Sequence, residues 1–169
     1  MSIGRKLLLA VVGLALLAIG GRWACYALAS DETRIRWRIE DMVDGFNDCK
    51  NGRVCDGLAS EFRDRTSGAT RETVHAALVQ VFFERVDSRT HEFQLSAELV
   101  EDELEIQVEE GEPKRATVKA HVSIDERASD GVRRLYWDAR VTGRLEERDD
   151  GWQWIETTEV NHRDRRSAR

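Results

Sequence analysis

Residues 143–162 read Gly-Arg-Leu-Glu-Glu-Arg-Asp-Asp-Gly-Trp-Gln-Trp-Ile-Glu-Thr-Thr-Glu-Val-Asn-His. Asp149-Asp150-Gly151 is a tight-turn signal, because glycine tolerates the positive φ that short hairpin turns need. The residues on either side of it alternate. Leu135, Trp137, Ala139, Val141 and Leu145 form an apolar column before the turn, and Trp152, Trp154, Thr158 and Val160 continue after it. A period of two means extended chain, and apolar residues on one side only mean an antiparallel sheet with one buried face.

Upstream the same period recurs. Val118, Ala120, Val122 and Ile124 form one column, Leu104, Ile106 and Val108 another, and Phe93, Leu95, Ala97 and Leu99 a third. Glu110-Gly111-Glu112-Pro113 makes a turn between two of them. Before Thr90 the period is helical. Ser30 or Asp31 can cap a helix over about 32–47, with Ile35, Ile39, Met42, Val43 and Phe46 on one face. Thr70 can cap a second, with Glu72 in its first turn, a stripe of Val74, Ala77, Leu78, Val81 and Phe82, and an end near 86–88. The stretch 48–68 reads as irregular, with a helical turn at 58–62 and a short extended piece at 63–66. Two amphipathic helices followed by single-sided strands predict an α+β domain, with helices packed on the concave face of a curved antiparallel sheet.

This pattern resembles the nuclear transport factor 2-like superfamily, also called SnoaL-like, over about 31–162. The residues that carry the resemblance are the first amphipathic helix, Leu58-Ala59-Ser60-Glu61-Phe62-Arg63-Asp64, the His75–Phe83 helix segment and the hairpin at 143–162. The resemblance implies a cone-like pocket between helices and sheet. It also implies a choice of roles, because the superfamily hosts isomerases, dehydratases, binding modules and scaffolds, and fold alone does not select among them. Its isomerase-like enzymes set a carboxylate base and hydrogen-bond donors inside the cone. Here Tyr136 is the one tyrosine of the domain, and alternation puts it on the polar face with Asp138, Arg140, Thr142 and Arg144, opposite the Trp137 column.

The chain begins with a leader. Arg5 and Lys6 precede an uncharged run from Leu7 to Gly21, followed by Arg22, Trp23 and an Ala27-Leu28-Ala29 site. This is an export segment. Residues 7–21 as a helix span roughly 22 Å, short of a membrane core of about 30 Å, whereas extension to Leu28 reaches about 33 Å. Arg22 near the outer end can snorkel, and Trp23 and Tyr26 suit the interface. The expectation is a single-pass inner-membrane anchor over 7–28 with the domain on the periplasmic side. The alternative is cleavage after Ala29 and release. The division is then 1–29 leader, 30–162 domain and 163–169 charged tail.

Of 26 basic and 32 acidic residues, three basic ones (Arg5, Lys6, Arg22) lie in the leader, leaving 23 against 32 and a formal charge of −9 beyond it. An acidic domain disfavours nucleic acid. Glu98, Glu101, Asp102, Glu103, Glu105, Glu109, Glu110 and Glu112 form an acidic run that reads as a solvated sheet edge. Cys49 and Cys55 bracket Lys50-Asn51-Gly52-Arg53-Val54. In an oxidising compartment such a pair reads as a disulfide closed by an Asn-Gly turn. A redox or metal role is the other reading, but the spacing is neither C-x-x-C nor a zinc pattern.

Candidate acid–base groups are His121, Asp138 and His162. His121 and Asp138 lie on the polar faces of two strands and can meet if those strands are neighbours; the plainer reading is cross-strand charge pairing. His162 shares the parity of Trp154 and Val160, near the pocket mouth. His75 and His91 have no partner at a useful spacing, and no histidine pair has metal-ligand spacing, so no metal or cofactor is expected. Trp137, Trp152, Trp154 and Phe82 are expected in the core or lining a pocket, and Trp37 lies off the main stripe of its helix. The expected role is a membrane-tethered extracytoplasmic binding or assembly module, with a homodimer through the open sheet face. The alternative is a small-molecule isomerase or dehydratase, or a carrier of an apolar ligand, using the cone.

Overall fold

The computed structural model describes residues 28–127 and 132–164, with the main chain alone over 159–164. Residues 1–27, 128–131 and 165–169, and with them most of the leader and of the charged tail, lie outside the described residues, as does the side chain of His162. The elements in order are α1 (Asp31–Asn47), α2 (Asn51–Asp56), β1 (Leu58–Asp64), α3 (Arg71–Glu84), β2 (Leu95–Leu99), a 3-10 turn (Glu101–Glu103), β3 (Glu105–Glu109), β4 (Arg115–Arg127), β5 (Arg133–Arg148) and β6 (Gly151–Asp164).

The six strands form one sheet in the order β1-β6-β5-β4-β2, with β3 also on β4. β2 pairs with the far half of β4 (Leu95↔Glu126 to Leu99↔Val122) and β3 with the near half (Glu105↔Lys119 to Glu109↔Arg115). The two short strands therefore share one edge of β4, joined by the 3-10 turn. β1 runs parallel to β6, and the other pairings are antiparallel.

The helix starts follow local chemistry. Ser30 caps α1 by accepting from the Thr33 amide, and Thr70 caps α3 by accepting from the Thr73 amide. α1 buries Ile35 and Ile39 against Ala116, Val118, Ala120, Leu145, Trp152 and Trp154. Each such side chain contributes about 1.5–3 kcal/mol on burial. Met42, Val74, Ile106 and Val141 pack around this cluster.

Besides a slip between Leu58 and Arg63 of β1 against β6, three irregularities bend the sheet. The register slips at Thr142/Gly143 and Arg144/Leu145 of β5 against β6, which leaves Thr158 and Ile155 unpaired. A third slip, at Ile124/Asp125 of β4, leaves Tyr136 unpaired in β5. Bulges raise local twist and curl a sheet around what it covers. Gly143 permits one of them. A Cβ there would lie 2.8 Å from Trp154 Cζ3 and would collide with the Glu156 carbonyl oxygen.

Two expectations for residues 48–64 are corrected. Residues 58–62, read as a helical turn, belong to strand β1. The alternation there is broken because β1 is buried at Leu58, Ala59, Phe62 and Asp64, a pattern that is not period two. The Cys49–Cys55 bridge is absent: both are free thiols, Cys49 half-buried and Cys55 buried. The intervening residues form helix α2 rather than a hairpin turn, and the Cys55 thiol donates to Asn51 Oδ1 one turn back, at 3.2 Å. Burial, the largest cause in each case, pushes both thiols above their usual range.

Candidate functional site

The sheet has an inner face under the helices and an outer face away from them. Ala116, Val118 and Ala120 point inward from β4, and Thr117, Lys119, His121 and Ser123 alternate with them on the outer face. On β5 the partners divide in the same way: Ala120↔Val141 and Val122↔Ala139 inward, His121↔Arg140 and Ser123↔Asp138 outward.

His121 and Asp138 do meet. Their strands are neighbours, and the pair is diagonal across the β4–β5 ladder. His121 Nε2 is hydrogen-bonded to Asp138 Oδ1. Its other nitrogen, Nδ1, lies 3.1 Å from Glu103 Oε2, within ion-pair reach but out of line for a hydrogen bond. Glu103 is held in turn by Arg140, with Nε to Oε2 at 3.0 Å and Nη2 to Oε1 at 3.3 Å. The Arg140 hydrogen bond, assisted by His121, keeps the Glu103 carboxyl below the usual carboxylate range. The His121 side chain is 12% exposed and that of Asp138 18%. The cluster thus stands on the outer face of the sheet, roofed by the 3-10 turn, and not in the cone.

This placement limits its chemistry. A general base needs a nitrogen free to reach the proton it removes. Both nitrogens of His121 face carboxylates, so none is open to Ser123 beside it or to a substrate. The cluster is one rung of a longer ladder. Lys119 pairs with Glu105 at 2.8 Å, Arg115 with Glu146 at 3.2 Å and Arg144 with Glu156 at 3.6 Å. The acidic run therefore supplies Glu103 and Glu105 to ion pairs across the sheet edge.

Inside, the narrow end of the cone is filled. Ile35, Val118, Leu145 and Trp152 are the largest fully buried side chains, and Trp154 is buried beside them. The Trp152 indole N–H is buried with no acceptor among the described residues. At the wide end Phe46, Phe82 and Phe93 pack as a triad, with ring centroids 5.4–5.5 Å apart. Trp137 is half-buried near the mouth, opposite Ile124. The expectation that Tyr136 shares the Asp138 face is corrected. Tyr136 is the bulge residue, and its hydroxyl accepts from Arg85 Nη2 at 3.1 Å, just past the end of α3. An open, largely polar cavity of about 320 Å³ lies at the rim, lined by Asn47, Phe93, Leu95, Ser96, Asp125 and Arg133 among others.

Two residues with structural work have no signal in the sequence. The Asn47 side chain donates to the Ala97 carbonyl at 2.9 Å and accepts from the Ala97 amide at 2.7 Å. It thereby takes the place of a further strand on the free edge of β2. Asp64 accepts from Thr157 Oγ1 at 2.7 Å, from the Ser67 amide at 2.8 Å and from the Ser67 hydroxyl. Among the described residues no cluster of three or more metal-ligating groups occurs.

No family model matches the chain, and no curated protein matches it. Solved structures do. Aln2 from Streptomyces sp. superposes with a TM-score of 0.59 at 12% identity, covering 79% of this chain and 93% of that one. A conserved protein from Planctomyces limnophilus gives 0.57 at 17% identity, covering 79% and 98%. An NTF2-like protein with a cystatin-like fold from Novosphingobium aromaticivorans gives 0.58 at 12% identity, covering 85% and 87%. The chain has the nuclear transport factor 2-like, cystatin-like fold.

Proposed function

We propose that this nuclear transport factor 2-like domain is a non-catalytic binding or assembly module. In this reading residues 7–28 hold it in the inner membrane, the domain stands on the periplasmic side, and copies associate through the outer face of the sheet. One observation carries the proposal: the His121–Asp138 pair lies on the face opposite the cone, with both ring nitrogens facing carboxylates. An enzyme working in the cone needs its acid–base groups there, where the described residues instead place Ile35, Leu145, Trp152 and Trp154.

The outer face supports association. It carries both signs of charge, with Lys119, Arg140 and Arg144 beside Glu105, Glu103 and Glu156, so a second copy related by a two-fold axis can meet complementary groups. The geometry of α1 supports the tether. The helix begins at Asp31, beside the β5–β6 hairpin, where Lys114 joins Asp31 at 2.9 Å and Arg38 donates to the Asp150 carbonyl at 2.7 Å. The leader therefore joins the domain at its narrow end, with the mouth at the far end of α1. Among the described residues no helix is long and apolar enough to cross a membrane, and the candidate span precedes them.

Fractionation combined with N-terminal mass determination tests the location. Intact chain in the inner-membrane fraction, with the domain cut by protease only after the outer membrane is permeabilised, is expected. Soluble protein beginning at Ser30 overturns the tether.

A further inference from the structure

The Glu101–Glu103 turn carries the chain from β2 to β3 along the edge of β4, and two attachments hold it there. The Val100 amide donates to the His121 carbonyl at 2.9 Å. The Glu103 carboxylate bridges His121 Nδ1, at 3.1 Å, and Arg140 Nε, at 3.0 Å. Because His121 Nε2 is bound to Asp138 on β5, the imidazole ties the turn to the middle of the sheet.

We infer that protonation of His121 clamps the Glu101–Glu103 turn onto the sheet and that deprotonation loosens it. A neutral imidazole has one N–H and one lone pair, and here it faces two carboxylates. Whichever carboxylate meets the lone pair is repelled. An imidazolium presents positive charge to both. Glu103, Asp138 and Arg140 carry one net negative charge between them, and a charged ring brings the group to zero.

Other charged residues stand around this group. On β4, Lys119 is paired with Glu105 of β3 at 2.8 Å. On β2, Glu98 stands opposite Ser123 and is exposed. Glu101 and Asp102 of the turn itself are also exposed. On β6 the residue opposite Arg140 is Asn161, a neutral side-chain type, and the residue opposite Asp138 is Arg163, a basic one. Asp138 is itself a β5 residue, so loss of the ring's charge releases the turn first at Glu103, the more exposed partner. The clamp is a property of the single chain and does not depend on the assembly proposal, although it lies on the same face.

Amide hydrogen exchange of the full chain in detergent micelles tests the clamp. Protection of the 100–104 segment, corrected for intrinsic exchange, is compared across the histidine range of about pH 5 to 8. A loss of up to about five-fold on going to pH 8 is expected, the size of one partly exposed ion pair. His121→Gln, which cannot titrate, removes that pH dependence. Glu103→Gln, which keeps the ring but discharges its partner in the turn, removes it as well and serves if the first variant fails to fold. Protection of 100–104 that is independent of pH in the wild type overturns the inference. So does a wild-type pH dependence retained by both variants.

Discussion

Asp64 is buried, 8% exposed, yet remains ionised. Burial alone pushes its carboxyl up, but hydrogen bonds from Ser67, Thr157 and the Ser67 and Thr66 amides together outweigh burial and hold it below the usual range. A carboxyl whose pKa is lower folded than unfolded adds stability above the unfolded value, about 3.9, and loses it as pH falls through the folded value. Asp64→Ala is therefore expected to cost about 1–3 kcal/mol in urea unfolding at pH 7, since it strands buried donors. That difference should shrink below about pH 4. Nothing in the sequence singles out this aspartate, because its partner Thr157 is far along the chain and the two meet only once β1 lies beside β6. Alternation made the shared polar face of His121 and Asp138 legible but left open whether their strands are neighbours. Glu103 as a third member was not, since its place depends on a 3-10 turn that the period-two pattern conceals.

Adjacent phenylalanines on α3 show how far periodicity reaches at the scale of an element. Phe82 is 9% exposed and Phe83 88%. Helical spacing separates them, since Phe82 continues the stripe of Val74, Leu78 and Val81 whereas Phe83 sits on another face with the half-exposed Val79. Phe82→Ala is expected to cost about 3–5 kcal/mol, because it removes one ring of the Phe46–Phe82–Phe93 triad. Phe83→Ser should change stability by less than about 0.5 kcal/mol. Equal losses from the two variants in thermal unfolding would contradict this packing. Periodicity fails where neither face is simply inside. The register of β1 on β6 slips between Leu58 and Arg63, so Leu58–Asp64 shows no clean alternation. The Cys49–Cys55 segment misleads for a related reason. Asn-Gly suits a turn, but Asn51 instead opens a helix that α1 and α3 pack against.

For the whole molecule, the strand columns and the two capped helices were enough to read an α+β domain with helices on a curved sheet, because single-sided burial constrains how such elements can stack, whereas the cone was implied by the family resemblance. The bulges that curve the sheet were not legible. They depend on close approaches such as Gly143 to Trp154, which no local pattern reports. The curved sheet has one face filled by apolar packing and one face carrying paired charges, and among the described residues the His121–Asp138 pair lies on the second. The proposal that follows is assembly rather than turnover. Sedimentation equilibrium of the full chain in detergent, across the micromolar range, tests it most directly. A protein mass of two copies of the 19.3 kDa chain is expected, falling to one copy when Lys119 on the outer face is reversed to Glu. A one-copy mass for the wild type, or a two-copy mass unaffected by Lys119→Glu, would contradict association through that face.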